Sequence, residues 1–326
     1  MKSEILKLLK ESCGYVSGQQ LCDRFAVSRT AVWKVMEQLK KEGYEIEAVR
    51  NKGYRLVDSP DVMSQAEILS LADTSWAAGK VVCFEETDST NIQARAYGEK
   101  GWDHGTLFVA ERQSAGKGRR GRGWESPSGL SIYMSILLRP EISPRHAPML
   151  TLVMAVSVAE GIKEAAGQDV GIKWPNDIVL NKKKLCGILT EMSTEIDYIN
   201  YVVIGVGINV NQEEFPEEIR DKATSLRIET GRRMKRAGII ASVMNRFEKN
   251  YGTFIKTEDL SGLQQAYNSI LVNKDCDVRV LEPGNEYNSH ALGINEKGEL
   301  MVRTEDGGRR NIYAGEVSVR GIYGYV

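Results

Sequence analysis

Apolar and polar positions near the start of the chain follow the pattern of three short helices and a β-hairpin. The third helix is the clearest, because apolar residues recur at i, i+3, i+4 and i+7 after Ser28, a favourable N-cap residue. These apolar residues are Val32, Val35, Met36 and Leu39. Two short strands then surround the turn 51–53. This order of elements predicts a winged helix-turn-helix domain over residues 1–63.

The outer face of the third helix and the hairpin carry groups suited to DNA. Residues 1–57 contain eleven Lys and Arg against seven Asp and Glu, a balance of +4, and a basic surface favours contact with phosphates. Polar or planar side chains on such a helix can reach base edges in a major groove. The candidate DNA-binding residues are Ser28, Arg29, Thr30, Trp33, Lys34, Arg50, Lys52 and Arg55. A three-helix module that contacts another protein stays open as an alternative, because charged outer faces are commonly only solvated.

Residues 64–270 mix strand and helix patterns. Ser64 and Glu67 have the spacing of a capping box at the start of a helix. Residues 149–166 predict a largely buried helix, and Pro175 within strand-like sequence indicates an edge or a break. Strands are predicted at 80–86, 107–110, 130–138, 172–180, 185–192 and 201–209. The region is therefore expected to contain a sheet with helices around it.

The last part of the chain, residues 271–326, has a different pattern. Short strands separated by Gly and Asn turns are predicted at 277–281, 291–294, 300–303, 310–313 and 316–320. This spacing predicts a small β-barrel, to which no site residue is assigned. The whole chain is thus expected to be an α+β protein of three domains, 1–63, 64–270 and 271–326.

The most unusual segment is 113–124, the Gly/Arg loop, which places four cations among four glycines. Glycine lets backbone N–H groups approach a ligand, and the cations favour a phosphate-containing anion. The loop is not a Walker A motif, because Glu111 and Gly118 stand where that motif has Gly and Ser or Thr. A flexible basic linker and a non-specific nucleic-acid patch remain alternatives on the loop alone.

Another candidate ligand turn follows the first strand of the central region. Residues 87–91 lead directly from that strand into a helix, so hydroxyls and helix N-terminal N–H groups could face a polar ligand. From these residues alone, simple N-capping by Asp88 and Ser89 is the better interpretation.

Composition narrows the class of protein further. The 326 residues carry a net charge of −1 and contain no apolar run long enough for a membrane span. The N-terminus lacks a secretory h-region, so the expected location is the cytoplasm and no membrane partner is expected. Five cysteines without a C-x-x-C pair and three scattered histidines predict neither a disulfide framework nor a zinc site. No metal-ligating residue is assigned.

Five motifs occur together in an order that identifies a family. They are Asp-Ser-Thr-Asn at 88–91, the Gly/Arg loop, Lys-Trp-Pro-Asn-Asp at 173–177, Lys-Leu-Cys-Gly-Ile-Leu at 184–189 and Gly-Val-Gly-Ile-Asn at 205–209. In this order they resemble the biotin protein ligases, and the winged helix resembles the bifunctional bacterial members that also repress transcription. The resemblance covers all three regions. It implies a central mixed-sheet biotin/lipoate ligase domain, like that of class II aminoacyl-tRNA synthetases, and an SH3-like C-terminal β-barrel.

The resemblance also implies a reaction. The family makes biotinyl-5′-AMP from biotin and ATP with Mg²⁺, and then transfers biotin to a lysine of a biotin carboxyl carrier protein. Acetyl-CoA carboxylase is the expected acceptor enzyme, with pyruvate carboxylase as a second candidate. A carboxylate that attacks a phosphate brings two anions together, so the site needs fixed cations where charge develops.

Residue roles follow from the match to the family's motifs. The catalytic residues are expected to be Lys184, Arg119 and Asp177. The expected biotin-binding residues are Ser89, Thr90, Asn91, Gln113, Lys117, Gly118, Arg119, Lys184, Gly187 and Gly205. The expected adenylate- and ATP-binding residues are Gly116, Arg119, Arg120, Arg122, Trp124, Lys173, Asn176 and Asn209. Lys117 departs from the arginine usual in the family, which keeps the charge but removes a bidentate contact.

Regulation is implied as well. Biotinyl-5′-AMP is expected to act as corepressor by favouring a homodimer that presents two winged helices to operator DNA. Two other functions stay open: a ligand-sensing transcription factor without turnover, and a lipoate or octanoate transferase. Lys184 and Arg119 argue against the first, and the Gly/Arg loop with the winged helix argues against the second.

Overall fold

The computed structural model describes residues 1–282, 284–313 and 318–321, and it begins with the winged helix-turn-helix. Its elements are α1 (Lys2–Glu11), α2 (Gly18–Phe25), α3 (Arg29–Lys41), β1 (Glu45–Val49) and β2 (Gly53–Asp58). The Ser28 side chain accepts a hydrogen bond from Ala31 N at 3.2 Å and so caps α3. The predicted apolar face of α3 is buried in a separate small core. Both the helices and the antiparallel wing are confirmed.

Helix α4 (Gln65–Leu71) joins this domain to the next one. Ser64 Oγ accepts from Glu67 N at 3.2 Å, as a capping box requires. The Glu67 carboxylate does not complete the box. It is almost fully buried and instead contacts Lys10 Nζ and accepts a 2.7 Å hydrogen bond from Tyr44 OH. Only half of the predicted capping box forms, because its acidic residue connects two domains.

A seven-stranded sheet forms the centre of the molecule. Its strands are β3 (Lys80–Thr87), β4 (Thr106–Gln113), β5 (Ser131–Leu138), β6 (Gly171–Lys173), β7 (Asp177–Leu180), β8 (Lys183–Thr194) and β9 (Ile199–Asn209). They lie in the order β3-β4-β5-β9-β8-β7-β6. Among the described residues, β3 and β4 are parallel and the other neighbours are antiparallel. The sheet is therefore mixed, as predicted.

Helices cover both faces of this sheet. The central helices are α5 (Thr90–Glu99), α6 (Leu150–Ala166), α7 (Leu226–Thr230), α8 (Arg236–Thr257) and α9 (Gln264–Ser269). Ile136 on β5 belongs to the core shared with α6 and α8, whereas Leu137 packs in the core on the α5 side. Every residue of β5 is buried for this reason.

The predicted interruption at Pro175 is confirmed in both senses. Strands β6 and β7 are separated at Trp174 and Pro175, and β6 is the edge strand of the sheet. Trp174 is buried, and its Nε1 atom donates to Gly298 O at 3.1 Å. The break in the strand therefore also anchors the C-terminal region.

The C-terminal region is an antiparallel sheet in the order β13-β12-β11-β10-β14. Its strands are β10 (Cys276–Glu282), β11 (Asn285–Ile294), β12 (Leu300–Thr304), β13 (Arg309–Ile312) and β14 (Ser318–Gly321). The first two residues of the strand predicted at 316–320 lie outside the described residues. Across the described part of the chain, no helix is long and apolar enough to cross a membrane.

Candidate active site

A narrow first cavity of about 50 Å³ lies where the start of α5 meets the ends of β4, β8 and β9. It is lined by all ten residues that the sequence assigned to biotin: Ser89, Thr90, Asn91, Gln113, Lys117, Gly118, Arg119, Lys184, Gly187 and Gly205. The sequence missed the apolar part of the wall, which includes Met134, Ile188 and Val206. These residues are apolar and lie on strands. In the sequence they cannot be distinguished from strand residues that pack in the hydrophobic core.

Ser89 occupies the N-cap position of α5, yet its side chain makes no capping hydrogen bond. The neighbouring Asp88 carboxylate instead accepts from Ser89 N at 2.6 Å and from Gln93 Nε2 at 2.9 Å. Burial alone would raise the pKa of Asp88, but these hydrogen bonds hold it below its usual value. The N-capping interpretation is thus wrong for the Ser89 hydroxyl, which lies at the cavity.

Gln113, at the end of β4, has a fixed orientation. Its Oε1 atom accepts from Thr90 N at 2.8 Å, and its Nε2 atom donates to Ser126 Oγ at 2.9 Å. Ser126 Oγ in turn donates to Trp124 O at 3.0 Å. One side chain therefore connects the start of α5 to the end of the Gly/Arg loop.

Two glycines on β9 leave room for side chains that pack closely against the sheet. A Cβ atom on Gly205 would stand 2.0 Å from Asn91 Oδ1, and one on Gly207 would stand 2.7 Å from Trp124 Cε2. The space above these glycines is thus occupied by side chains from α5 and from the Gly/Arg loop. Among the described residues, no hydrogen-bond acceptor reaches the buried Trp124 Nε1 atom.

The Gly/Arg loop is folded back on itself over the cavity. Gly118 N donates to Arg122 O at 2.7 Å and Trp124 N donates to Gly116 O at 2.9 Å. Arg120 adopts φ 58°, which makes the tight turn between them. Gly116 is the one adenylate-assigned residue that lines neither cavity of the described structure. It lies behind the wall, where a Cβ atom would stand 2.4 Å from Trp124 O.

A second cavity of about 630 Å³ adjoins the first. It is lined by seven of the adenylate-assigned residues, namely Arg119, Arg120, Arg122, Trp124, Lys173, Asn176 and Asn209, together with Asp177 and Lys184. Several cations thus face one space, which favours a polyanion such as a nucleotide phosphate chain. The residues that line both cavities mark their junction, and they are Gly118, Arg119, Trp124, Asn176 and Lys184.

The sequence did not identify one part of the wall of the second cavity, which is formed by Phe215, Pro216, Ile219 and Ala223. This segment is attached to the junction through the backbone of Lys184, whose N–H donates to Lys222 O at 2.6 Å. Lys184 O also accepts from Thr224 N at 2.9 Å. The sequence offers one sign of this wall, a few apolar residues among acidic ones at 213–219. Without the fold, that pattern does not indicate a ligand cavity.

Two cations at the junction are held by defined partners. Lys184 Nζ donates to Asp177 Oδ1 at 2.6 Å, and Arg119 Nη1 donates to Asn176 Oδ1 at 2.9 Å. Burial is the main cause that lowers the pKa of Arg119, and the nearby Arg120 adds to it. An anion placed between these groups would offset the cost of burying Arg119, so the charges at the junction suit a negatively charged ligand.

The eight candidate DNA-binding residues are all exposed on the winged helix. Trp33 is 54% exposed on the outer face of α3, which is unusual for a tryptophan. Arg29 Nη2 donates to Gln19 Oε1 at 2.9 Å, and Arg55 pairs with Glu47 at 2.7 Å on the wing. All eight side chains are exposed to solvent, and all belong to the domain formed by residues 1–63.

Comparison with known proteins gives a consistent result. The signature of the Biotin/lipoate A/B protein ligase family matches residues 83–209, an HTH domain matches 2–55, and the Biotin protein ligase C terminal domain matches 277–320. The chain is 39% identical over 322 residues to the Bifunctional ligase/repressor BirA of Bacillus subtilis (strain 168), covering 98% of each chain. Against the protein of that name from Escherichia coli (strain K12), identity is 30% over 305 residues, covering 93% and 92%.

The solved structures agree. The Biotin protein ligase from Aquifex aeolicus in complex with biotin and ATP has a TM-score of 0.66 and 32% identity. The match covers 74% of this chain and 99% of that one.

Proposed function

Because this chain belongs to the bifunctional ligase/repressor family of biotin protein ligases, we propose that its two adjoining cavities activate biotin with ATP for transfer to a protein lysine. The observation that carries this proposal is the junction. A narrow cavity for biotin and a larger basic cavity for a nucleotide meet at Lys184 and Arg119. The carboxylate of one substrate and the α-phosphate of the other would therefore meet between two cations.

The first step forms the anhydride. A biotin carboxylate oxygen attacks the α-phosphorus of ATP and forms a new O–P bond. The bond between the α-phosphorus and the oxygen that bridges the α- and β-phosphates breaks, and pyrophosphate leaves. Negative charge increases on the phosphoryl oxygens in the transition state. Lys184 Nζ, which lies 2.6 Å from Asp177 Oδ1 in this structure, can move its donors to those oxygens and to the carboxylate.

The nucleotide base has a natural place in the second cavity. Phe215, Ile219 and Ala223 form an apolar part of the wall of this cavity, which the basic loop also lines. A planar base can pack on such a wall while its phosphates face Arg120, Arg122 and Lys173. This orientation places the α-phosphate, which lies next to the ribose, toward the junction.

Magnesium would accompany the nucleotide. Among the described residues, no group of three His, Cys, Asp or Glu could hold a metal ion by itself, and Mg²⁺ commonly binds through substrate phosphates and one or two protein oxygens. Asn209 lines the second cavity, and its Nδ2 donates to Thr224 O at 3.0 Å. Its amide oxygen is then the atom it can offer to a cation. The ion would offset charge on the phosphate chain.

The second step consumes the anhydride. An acceptor lysine amine attacks the biotinyl carbonyl carbon, an amide bond forms, and AMP leaves with the electron pair of the broken C–O bond. The amine must lose a proton. Asp177 lies at the junction beside Lys184, so its carboxylate is placed to accept that proton or to orient the amine.

The Gly/Arg loop would open and close during this cycle. Lys117, Gly118 and Arg119 of the loop line the narrow first cavity, so movement of the loop would control the entry of biotin. Closure of Gly118 and Arg119 over the anhydride would then exclude water and retain a hydrolysable intermediate.

Transcriptional control uses the N-terminal domain. The eight exposed residues of α3 and the wing would contact operator DNA, with Arg29, Thr30 and Trp33 at base edges. Biotinyl-5′-AMP would act as corepressor by favouring a homodimer, and a biotin carboxyl carrier would oppose repression by consuming the adenylate. The domain boundaries proposed for these roles are 1–63, 64–270 and 271–326.

ATP–pyrophosphate exchange tests the enzymatic part. Exchange should require biotin and should not occur with lipoate or octanoate, and an apo carrier domain should become biotinylated. No exchange with any acid would favour a DNA-binding sensor without turnover, and exchange with lipoate would favour a transferase.

Equilibrium sedimentation and operator-DNA mobility shift test the regulatory part. Biotinyl-5′-AMP should increase both the average mass and the affinity for operator DNA. An unchanged mass at micromolar protein would contradict the homodimer proposal, whatever the exchange assay shows.

A further inference from the structure

The segment that joins the winged helix to the central domain, residues 58–63, is packed against both of them. Val62 packs against the small core of the winged helix, and the next residue, Met63, is buried in the core of the central domain. Two consecutive side chains thus belong to two different cores. The segment is therefore a fixed connection between the domains rather than a flexible tether.

Glu67 forms the first of two polar contacts across this connection. It is only 2% exposed, and its carboxylate contacts Lys10 Nζ and accepts a hydrogen bond from Tyr44 OH at 2.7 Å. Burial is the main cause that lowers the pKa of Lys10, and the contact with Glu67 opposes that shift. A buried pair of this kind holds its members in one geometry, because separation would leave an uncompensated charge.

Asp61 forms the second contact. Its Oδ1 atom accepts from Arg236 N at 2.9 Å, and its Oδ2 atom accepts from Asn211 Nδ2 at 3.1 Å. Arg236 is also 2% exposed, and its guanidinium donates both to Asp61 and to Glu111 Oε2 at 2.8 Å. The connecting segment is therefore fixed to α8 and to the residues that follow β9, and through Arg236 to β4.

The two contacts give the recognition helix α3 one position relative to the central domain. Tyr44 lies between α3 and the wing, and Lys10 lies in α1, so Glu67 is joined to two parts of the winged helix. In a homodimer, two recognition helices mounted in this way would be held at one separation and one relative angle. A dimer can engage two DNA half-sites together only when their spacing matches that separation.

We propose that Glu67 and Asp61 determine the half-site spacing that this repressor accepts in its operator, because they fix each winged helix to its central domain. The inference rests on the proposed homodimer. Two inserted base pairs move a half-site by about 7 Å along the DNA and rotate it by roughly 70°. The six residues 58–63, if released, could span up to about 20 Å, so a free winged helix could follow this shift and a fixed one could not.

The test measures operator binding at two spacings. The wild-type protein with biotinyl-5′-AMP selects an operator with two half-sites from random DNA, and a second DNA carries two more base pairs between them. The wild type should bind the second DNA about 100-fold more weakly, since the gain from bivalent binding is lost. Glu67→Gln combined with Asp61→Asn should reduce that ratio to about threefold or less, mainly through weaker binding of the selected operator. Each single variant should reduce the ratio in part.

Matched controls remove exposed ion pairs near the same connection. Asp73→Asn removes a pair with Lys7 in which the Asp73 side chain is 92% exposed, and Asp58→Asn removes an exposed pair with Lys235. Such pairs contribute little, so both controls should keep the wild-type ratio. Thermal unfolding, biotin-dependent ATP–pyrophosphate exchange and binding to DNA with a single half-site verify that both domains of every variant are intact.

The outcomes are distinct. A ratio that stays at the wild-type value in the single and double variants would show that Glu67 and Asp61 only support the fold, and it would overturn the inference. A wild-type dimer that binds both DNAs equally well would also overturn it. A wild-type protein that stays monomeric with biotinyl-5′-AMP, or selects no DNA with two half-sites, would instead contradict the proposed homodimer.

Discussion

Lys184 Nζ and Asp177 Oδ1 lie 2.6 Å apart at the junction of the two cavities. They face each other from adjacent strands, because β7 and β8 pair around this point with an irregular register. Asp177 balances the charge of Lys184 in this structure, and in the proposed reaction this cation would lie between the two substrates. Under the proposed function, substrate anions would replace Asp177 as the partner of Lys184 when the reaction begins.

Replacement of Lys184 by Ala removes this cation and should reduce biotin-dependent ATP–pyrophosphate exchange by about 10²–10³-fold, the cost of losing one preorganised donor. Lys183→Ala is the matched control, since Lys183 Nζ contacts Arg220 O at 3.4 Å at the surface. Its exchange rate should equal that of the wild type. Normal exchange by Lys184→Ala would contradict the assigned role.

Arg119→Gly should release the adenylate. Loss of a charge-assisted contact of about 1.5–3 kcal/mol predicts dissociation of biotinyl-5′-AMP that is faster by roughly 10–100-fold, with labelling of lysines on unrelated proteins. Stopped-flow release and blotting for biotin measure the two effects. Arg112→Gly removes an exposed arginine paired with Glu86 and should leave both unchanged, whereas tight retention by Arg119→Gly would argue against the loop as the seal.

Gly207→Ala places a methyl group 2.7 Å from the Trp124 ring. Displacement of the ring should weaken biotin binding by about 1–3 kcal/mol, the typical cost of overpacking, and should change the tryptophan emission spectrum. Gly238→Ala on α8, where a Cβ atom meets open space, is the control. Unchanged emission and affinity would mean that the position of the Trp124 ring does not depend on the space above Gly207.

Phe215→Ala should affect ATP and not biotin. Loss of base stacking worth about 1–3 kcal/mol predicts a KM for ATP that rises by roughly tenfold, with the KM for biotin unchanged. Ile228→Ala removes a large exposed apolar side chain on α7 outside both cavities and should change neither constant. A parallel rise in both KM values would indicate a general collapse of the wall instead.

Glu248 supplies a pH-dependent contribution to stability. Burial alone would raise its pKa, but hydrogen bonds from the N–H groups of Ser75, Ala77 and Trp76 hold the pKa below its ordinary value of 4.5. The stability is therefore present above pH 4.5 and is lost as pH falls through the lowered pKa. Glu248→Gln should lower the free energy of unfolding by about 1–2 kcal/mol at pH 7.

Denaturant unfolding across the acid range measures this effect. The difference from the wild type should disappear at low pH, where both side chains are neutral. Glu164→Gln, which breaks an exposed pair with Arg246, should have little effect at any pH. A difference that persists below the lowered pKa would exclude the carboxylate charge as its cause.

Much of the site was predictable from the sequence, because its parts are short and lie at ends of elements. The turn before α5, the Gly/Arg loop and the glycines of β9 each form a short motif that can be recognised in the sequence. The resemblance to a family predicted that these three motifs belong to one ligand site. Ten residues assigned to biotin accordingly line one cavity. The winged helix was predicted for the same reason, since helical periodicity and a hairpin turn are local properties.

The sequence by itself therefore determined which helices and strands form and in what order. It also determined which polar and charged side chains lie in the turns at their ends. The tertiary structure alone decided which distant groups meet. It placed the Glu67 carboxylate against Lys10 and Tyr44 instead of the helix N-terminus, and it placed Phe215 in the lining of the same cavity as the basic loop. It also brought Glu191 to Asn91. Such contacts depend on strand order and on the room left by glycine, and neither leaves a periodic signal along the chain.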